Sequence, residues 1–151
     1  MLEISKADYD LIRWEAQKSY PHECCGILLG KIEGGRRRVT LTITCENTRH
    51  ESAATRYSIE PEKVIAALKL ARSRAETIVG FYHSHPDQPA RYSGTDLDEA
   101  HWFDCSYVIT TVEGGRAGPT NSFVLTGSED NKAFALEEIQ ITAYQRMPIA
   151  L

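Results

Sequence analysis

A chain of 151 residues has the length of one ordinary domain, so we predict a single domain over residues 1–151 that folds without disulfides or a structural metal. A composition of 42% hydrophobic and 25% charged residues excludes a disordered or fibrous protein. The net charge of −4, with a basic run limited to Arg36–Arg38, argues against a nucleic-acid partner.

The first half of the chain predicts a helix, a β-hairpin and a second helix. Ser5 and Asp8 resemble a capping box, and apolar residues then recur at helical spacing. Pro61 stands where a helix tolerates proline best, ahead of an apolar helical face. The predicted elements are a helix over 6–19, strands over 25–32 and 39–45 with a turn between them, and a helix over 61–75.

The second half begins with a β-rich run, Thr77–Tyr82, that continues into His83-Ser84-His85-Pro86. Because proline should end the strand, both histidines are expected at its C-terminal end. The remaining predicted elements are a short helix over 95–103 and strands over 107–112, 122–125 and 133–141. Together these elements predict an α/β fold with a mixed sheet.

His83 and His85 are the best candidates for metal ligands. Side chains on a strand alternate between its two faces, so the two imidazoles point the same way. A catalytic zinc site uses three protein ligands and one open position, and Asp96 offers a third ligand of suitable chemistry. Glu23 opens the apolar strand of the hairpin, and we predict that it lies beside the histidines and acts as general base.

These residues resemble the JAMM/MPN+ metalloprotease motif. Glu23 is followed by Gly26 and Gly30, and His83-Ser84-His85-Pro86 is followed after six residues by Ser93 and then by Asp96. The segments Arg56–Pro61 and Gly80–Tyr82 also look like the small prokaryotic, stand-alone members of this family. The resemblance therefore spans roughly the whole chain.

The resemblance implies a three-layer α/β sandwich, in which helices flank a central mixed sheet as in the cytidine deaminase architecture. It implies one catalytic zinc at His83, His85 and Asp96, Glu23 as base, and Ser93 as a donor to the tetrahedral oxyanion. It further implies hydrolysis of the bond beyond the C-terminal Gly-Gly of a ubiquitin-like protein, either an isopeptide bond or an adduct on a sulfur carrier. With no long insertion near the motif, we favour the sulfur-carrier or small-modifier substrate.

Simpler roles exist for several of these residues. Ser93 and Asp96 could form only a helix capping box, although Thr95 and Asp98 offer the same helix a second box that would leave the first pair free. Two cysteines beside Glu23, Cys24 and Cys25, are expected to be small buried hydrophobes. Arg91 and Tyr92, in the loop between the ligands, could line a substrate groove or could be solvated.

Competing functions differ in what they need. A zinc deaminase requires a His-x-Glu pair and a later Pro-Cys-x-x-Cys, and the sequence has neither. A non-catalytic MPN scaffold would lack a motif residue, and a ubiquitin-type isopeptidase would use the same chemistry on a different partner. We predict a cytoplasmic enzyme without a membrane span, whose substrate tail lies extended along a sheet edge near the site.

Overall fold

The computed structural model describes residues 1–50 and 52–143, so residues 144–151 of the predicted domain lie outside the described residues. None of the described helices has the length and apolar character needed to cross a membrane. The helices are α1 (Lys6–Ser19), α2 (Pro61–Ser73) and α3 (Gly94–Glu99). The strands are β1 (Leu2–Ser5), β2 (Cys25–Glu33), β3 (Arg36–Cys45), β4 (Thr77–Pro86), β5 (Ser106–Glu113), β6 (Arg116–Ser128), β7 (Asn131–Glu137) and β8 (Ile139–Thr142).

The strands form one mixed sheet in the order β7-β6-β5-β4-β2-β3-β1-β8. Helix α1 buries Ile12 and Ala16 in a core cluster on one face of the sheet. Helix α2 buries Ala67 and Ala71 in a second cluster, which contains Ile27, Phe81 and other strand residues of the opposite face. The predicted mixed sheet with helices on both faces is thus confirmed.

Local chemistry accounts for the first elements. The Ser5 hydroxyl caps α1 by accepting a hydrogen bond from the Asp8 amide at 3.1 Å. Gly34 and Gly35 both have positive φ, at 54° and 75°, which lets two residues reverse the chain between β2 and β3. The predicted first helix and hairpin are confirmed, although β3 begins three residues earlier than the predicted strand.

Several predicted boundaries are wrong. Strand β1 was not predicted, because these four residues form a strand only by pairing with β3 and β8. The third helix ends at Glu99 rather than at residue 103, because Trp102 and Phe103 pack on the core beneath α2. The strand predicted over 133–141 is interrupted at residue 138, which divides it into β7 and β8 on opposite edges of the sheet.

Three strand ends meet at one end of the sheet. Strand β2 runs antiparallel to both β3 and β4, so that Cys25 stands opposite Cys45 on one side and His83 on the other. The start of β2, the end of β3 and the end of β4 therefore lie together. This juxtaposition brings Glu23, which precedes β2, close to the histidines that end β4.

A buried ion pair joins distant parts of the curled sheet. Arg37 of β3 donates to the Glu137 carboxylate of β7 at 2.5 Å, and both side chains are almost fully buried. The hydroxyls of Ser106 and Ser122 donate to the other oxygen of that carboxylate. Burial alone would raise the pKa of Glu137, but these donors and Arg37 lower it, so the carboxylate stays ionised.

Replacing Glu137 with alanine should lower the free energy of unfolding by about 3–5 kcal/mol, because the substitution leaves the Arg37 charge buried without its partner. Urea denaturation of the variant and the wild type measures the difference. The neighbouring, exposed Glu138 gives a matched control, and Glu138→Ala should change the stability by less than about 0.5 kcal/mol. Equal losses in the two variants would show that the ion pair contributes nothing.

Candidate metal centre

Three side chains converge where β4 ends. The Nε2 atoms of His83 and His85 are 3.2 Å apart. The Asp96 carboxylate meets both, with Oδ1 at 3.4 Å from His83 Nε2 and Oδ2 at 3.1 Å from His85 Nε2. One ligand atom from each of the three residues lies within 4.8 Å of the others, which makes this a cluster that can hold a metal ion.

The two imidazoles are oriented by different contacts. His85 Nδ1 lies 2.9 Å from the Pro89 carbonyl oxygen, and because a carbonyl can only accept, Nδ1 carries the proton. That leaves Nε2 as the nitrogen of His85 that faces the cluster. His83 instead stacks on the Tyr57 ring, with the ring centroids 4.5 Å apart, and its buried Nδ1 has no partner among the described residues.

The cluster fits zinc. Donor atoms around a tetrahedral zinc, at bond lengths of about 2.0–2.2 Å, are roughly 3.3 Å from one another. The three distances of 3.1 to 3.4 Å are of this size. Two imidazoles and one carboxylate are also a usual catalytic donor set, and an outer hydrogen bond of the Pro89 type is common for metal-bound histidine.

The charge states of Asp96 and His83 also favour a cation. Burial would raise the pKa of Asp96, but hydrogen bonds from His83 and His85 hold it well below its usual range, so a carboxylate is present. Burial lowers the pKa of His83 and favours the neutral imidazole that a metal requires. Burial also acts to lower the pKa of His85, but the contacts to Asp96 and Pro89 outweigh it and raise the pKa overall.

Glu23 lies next to the cluster. Ser84 donates its amide hydrogen to the Cys24 carbonyl at 3.2 Å, which extends the β2–β4 pairing, and Glu23 is the preceding residue of the chain. The charges of His85 and Asp96 act on its carboxyl group. The Glu23 side chain is only 3% exposed, and its Oε1 has no partner among the described residues.

Burial raises the pKa of Glu23 to about 8. The positive charge of His85 lowers this pKa, and the negative charges of Asp96 and Glu99 raise it. A carboxyl group that is buried, lacks a hydrogen-bond partner and titrates near neutrality has the properties of a general base. The role of Glu23 as general base stays a prediction.

Ser93 and Asp96 have two structural roles at once. The Ser93 hydroxyl accepts from the Asp96 amide at 3.0 Å, and the Asp96 carboxylate accepts from the Ser93 amide at 2.8 Å. This capping box begins α3, so the second box that Thr95 and Asp98 offered is not the one that caps the helix. The cap nevertheless leaves the Ser93 hydroxyl hydrogen free to donate, and it holds the Asp96 carboxylate beside the histidines.

A cleft opens beside the cluster. Its walls include the rings of Tyr57, Phe81, Trp102 and Tyr107, which come from four different segments of the chain. At its polar side Arg49 forms an ion pair with Glu99 at 3.3 Å. No site role was predicted for Tyr57. Its place in the family-like segment Arg56–Pro61 is the feature of the sequence that could have indicated one.

The remaining candidates are structural. Cys24 and Cys25 are buried free thiols, and burial raises the pKa of Cys24 to about 12 and that of Cys25 above the usual thiol range, so neither is a reactive thiolate. Tyr92 packs its ring against Phe123 and Phe134, while Arg91 is exposed.

Comparisons with known proteins agree with this fold. A family model described as prokaryotic homologs of the JAB domain matches residues 5–126, a range that includes the whole cluster and Glu23. A JAB1/MPN domain protein from Archaeoglobus fulgidus superposes with a TM-score of 0.57 at 15% identity, over 94% of this chain and 97% of that chain, and supports the fold alone.

Two curated relatives match part of the chain. One is a desampylase from Haloferax volcanii, 34% identical over 94 residues, which cover 62% of this chain and 66% of that protein. The other is a probable TtuB-protein conjugate cleaving protease from Thermus thermophilus, 39% identical over 83 residues, which cover 55% of each protein. The matched region thus spans less than two thirds of either relative.

Proposed function

Because this chain belongs to the family of prokaryotic homologs of the JAB domain, we propose that it is a zinc-dependent hydrolase of amide or isopeptide bonds in protein conjugates. The observation that carries the proposal is the convergence of His83, His85 and Asp96 beside the buried carboxyl group of Glu23. A desampylase and a probable conjugate cleaving protease among the relatives point to the same reaction class.

His83, His85 and Asp96 would hold the zinc ion, and Glu23 would move the proton. When bound, zinc supplies a Lewis acid that polarises the scissile carbonyl and makes water more acidic. Glu23 in its ionised form takes a proton from the attacking water and passes it to the leaving amine. Burial of Glu23 keeps its carboxylate poorly solvated, and this makes it a stronger base than an exposed glutamate.

Ser93 would stabilise the negative charge that develops on the scissile carbonyl oxygen. Its hydroxyl oxygen already accepts a hydrogen bond from the Asp96 amide, so the hydroxyl hydrogen is the part left to donate. A donor fixed in this way needs no reorganisation when the charge develops. The helix cap therefore helps to preorganise the proposed oxyanion donor.

We propose that the substrate is a ubiquitin-like or sulfur-carrier protein whose C-terminal Gly-Gly tail binds in extended form. Strand β3 pairs with β2 along its length, but its described pairing with β1 is limited to Arg37 and Arg38. Its later residues, up to Cys45, therefore present a free edge that ends at the site end of the sheet. A tail added along this edge would gain main-chain hydrogen bonds with β3.

The proposed function is tested with fusions of ubiquitin, and of ubiquitin-like sulfur carriers, to a C-terminal amino acid or to lysine through an isopeptide bond. We expect cleavage after Gly-Gly that a chelator stops and added zinc restores, with the metal content assayed in parallel. Zinc binding without cleavage of any fusion would favour a non-catalytic scaffold, whereas cleavage that resists chelation would contradict the metal mechanism.

A further inference from the structure

The first four residues of the loop that follows β4, residues 87–90, are each held by hydrogen bonds. The Asp87 carboxylate accepts hydrogen bonds from the Tyr20 hydroxyl at 2.5 Å and from the Gly114 amide at 2.9 Å. The next three carbonyl oxygens each accept one side-chain hydrogen bond, which is unusual for a loop. The donors are Thr111 Oγ1 to Gln88, His85 Nδ1 to Pro89 at 2.9 Å, and Asn121 Nδ2 to Ala90 at 2.8 Å.

The central bond of this series decides which nitrogen of His85 faces the metal cluster. With the Pro89 carbonyl accepting from Nδ1, Nε2 is the nitrogen directed at Asp96 and His83. The Pro89 carbonyl also accepts a hydrogen bond from the Arg91 amide at 2.9 Å, so two donors meet on its oxygen. The backbone on either side of this carbonyl is held by Thr111 and Asn121.

We propose that Thr111 and Asn121 are positioning residues for the His85 ligand, acting through the backbone of residues 88–90. The inference rests on the function proposed above, since it concerns the same metal site. Thr111 and Asn121 hold the carbonyls immediately before and after that of Pro89, and together they fix the peptide planes that flank it. His85 is thereby kept in one tautomer and one ring orientation.

The elements that carry these residues are suited to the task. Thr111 is buried in β5 and stands next to His85 in the parallel β4–β5 ladder. Asn121 lies on β6 opposite Ile109 of β5, so both donors are placed by the regular sheet and not by another loop. Gly118 lies against the Thr111 methyl group, where an added Cβ would come within 2.7 Å.

The test compares Thr111→Val, which removes the hydroxyl at almost constant volume, with Thr111→Ser, which keeps it. Thr126→Val is the matched control, because the Thr126 hydroxyl also donates to a backbone carbonyl, that of Ala133, and lies on β6 away from the loop. Asn121→Ala removes the second donor. Zinc and Co²⁺ affinities are measured by competition with a chromophoric chelator, and nitrogen NMR of the zinc-loaded protein reports the His85 tautomer.

We expect Thr111→Val and Asn121→Ala to bind zinc about 10–100-fold more weakly, which is the usual effect of losing an outer contact to a metal ligand. The same variants should show a mixture of His85 tautomers, while Thr111→Ser and Thr126→Val should match the wild type in both measurements. A positioning role also predicts an altered visible spectrum of the Co²⁺ form, which a mere loss of stability would not produce.

Wild-type zinc affinity and a single Nδ1–H tautomer in Thr111→Val would overturn the inference and leave the proposed function intact. An affinity loss that equals the unfolded fraction of each variant, measured by urea denaturation, would overturn it as well. A wild-type protein that binds neither zinc nor Co²⁺ would contradict the proposed metal site itself, and the inference would fall with it.

Discussion

The Glu23→Gln variant should lose about 10²–10⁴-fold in kcat on a cleavable protein fusion while it keeps its bound metal, because a positioned general base contributes rate enhancement of that size. Glutamine has nearly the shape of glutamate but cannot accept the proton of the attacking water. Glu23 lies beside the cluster and is not one of its three ligands, so the metal should remain. Steady-state kinetics, together with metal analysis of the same samples, measures both quantities.

The pH dependence gives the same prediction an independent readout. A base acts when it is ionised, so the wild-type rate should rise with pH as the Glu23 carboxyl group loses its proton. Burial raises the pKa of this group to about 8 in the metal-free protein, and a bound dication would lower it again. The acidic limb of the kcat profile should therefore disappear in the glutamine variant.

Stability of the metal-free protein provides a control for correct folding. The pKa of Glu23 is raised from 4.5 in the unfolded chain to about 8 in the folded chain, so its contribution to stability is lost as the pH rises through this interval. Glutamine carries no such charge, and Glu23→Gln should be the more stable protein at pH 9 and close to wild type at pH 4.

Glu62→Gln, an exposed substitution in α2, should change neither rate nor stability. Normal turnover by a fully metal-loaded Glu23→Gln enzyme would rule out Glu23 as the base.

The fold was predictable where the pattern is local. Helix α1 shows its cap and its apolar spacing in fourteen consecutive residues, and the hairpin shows two glycines between apolar runs. Strand β1 has no such signal, because four residues become a strand only through partners more than thirty residues away. The interruption at residue 138 is equally non-local, since it depends on how the sheet curls to bring its edges together.

The site was predictable to the extent that one strand and one loop contain it. Alternation along β4 set His83 and His85 on one face, and the family motif supplied Asp96 and the resemblance that the family match confirms. Contacts between separate segments were not visible: the stacking of Tyr57 on His83 and the bond from His85 to the Pro89 carbonyl need the folded loop. The capping role of Ser93 was foreseen only as an alternative to its catalytic role, whereas the structure allows both.

The second large effect is expected for Asp96→Asn, which should weaken zinc binding by more than about 100-fold and abolish chelator-sensitive cleavage. Losing an outer contact alone costs about 10–100-fold in metal affinity, and here an anionic ligand itself is replaced by a neutral amide. The amide oxygen can still accept from the Ser93 amide, so the helix cap should survive in part. Competition with a chromophoric chelator gives the affinity, and circular dichroism checks the fold.

Asp98→Asn makes the same chemical change two residues further along α3, at an exposed position whose side chain caps no helix. It should leave zinc affinity unchanged, because the metal cluster uses Asp96 and not the second acidic residue. Ser93→Ala removes the capping hydroxyl at a cost of about 1 kcal/mol and should also retain the metal. If Asp96→Asn and Asp98→Asn bound zinc with equal affinity, the Asp96 carboxylate would serve only to cap the helix. The metal site would then need a different third ligand.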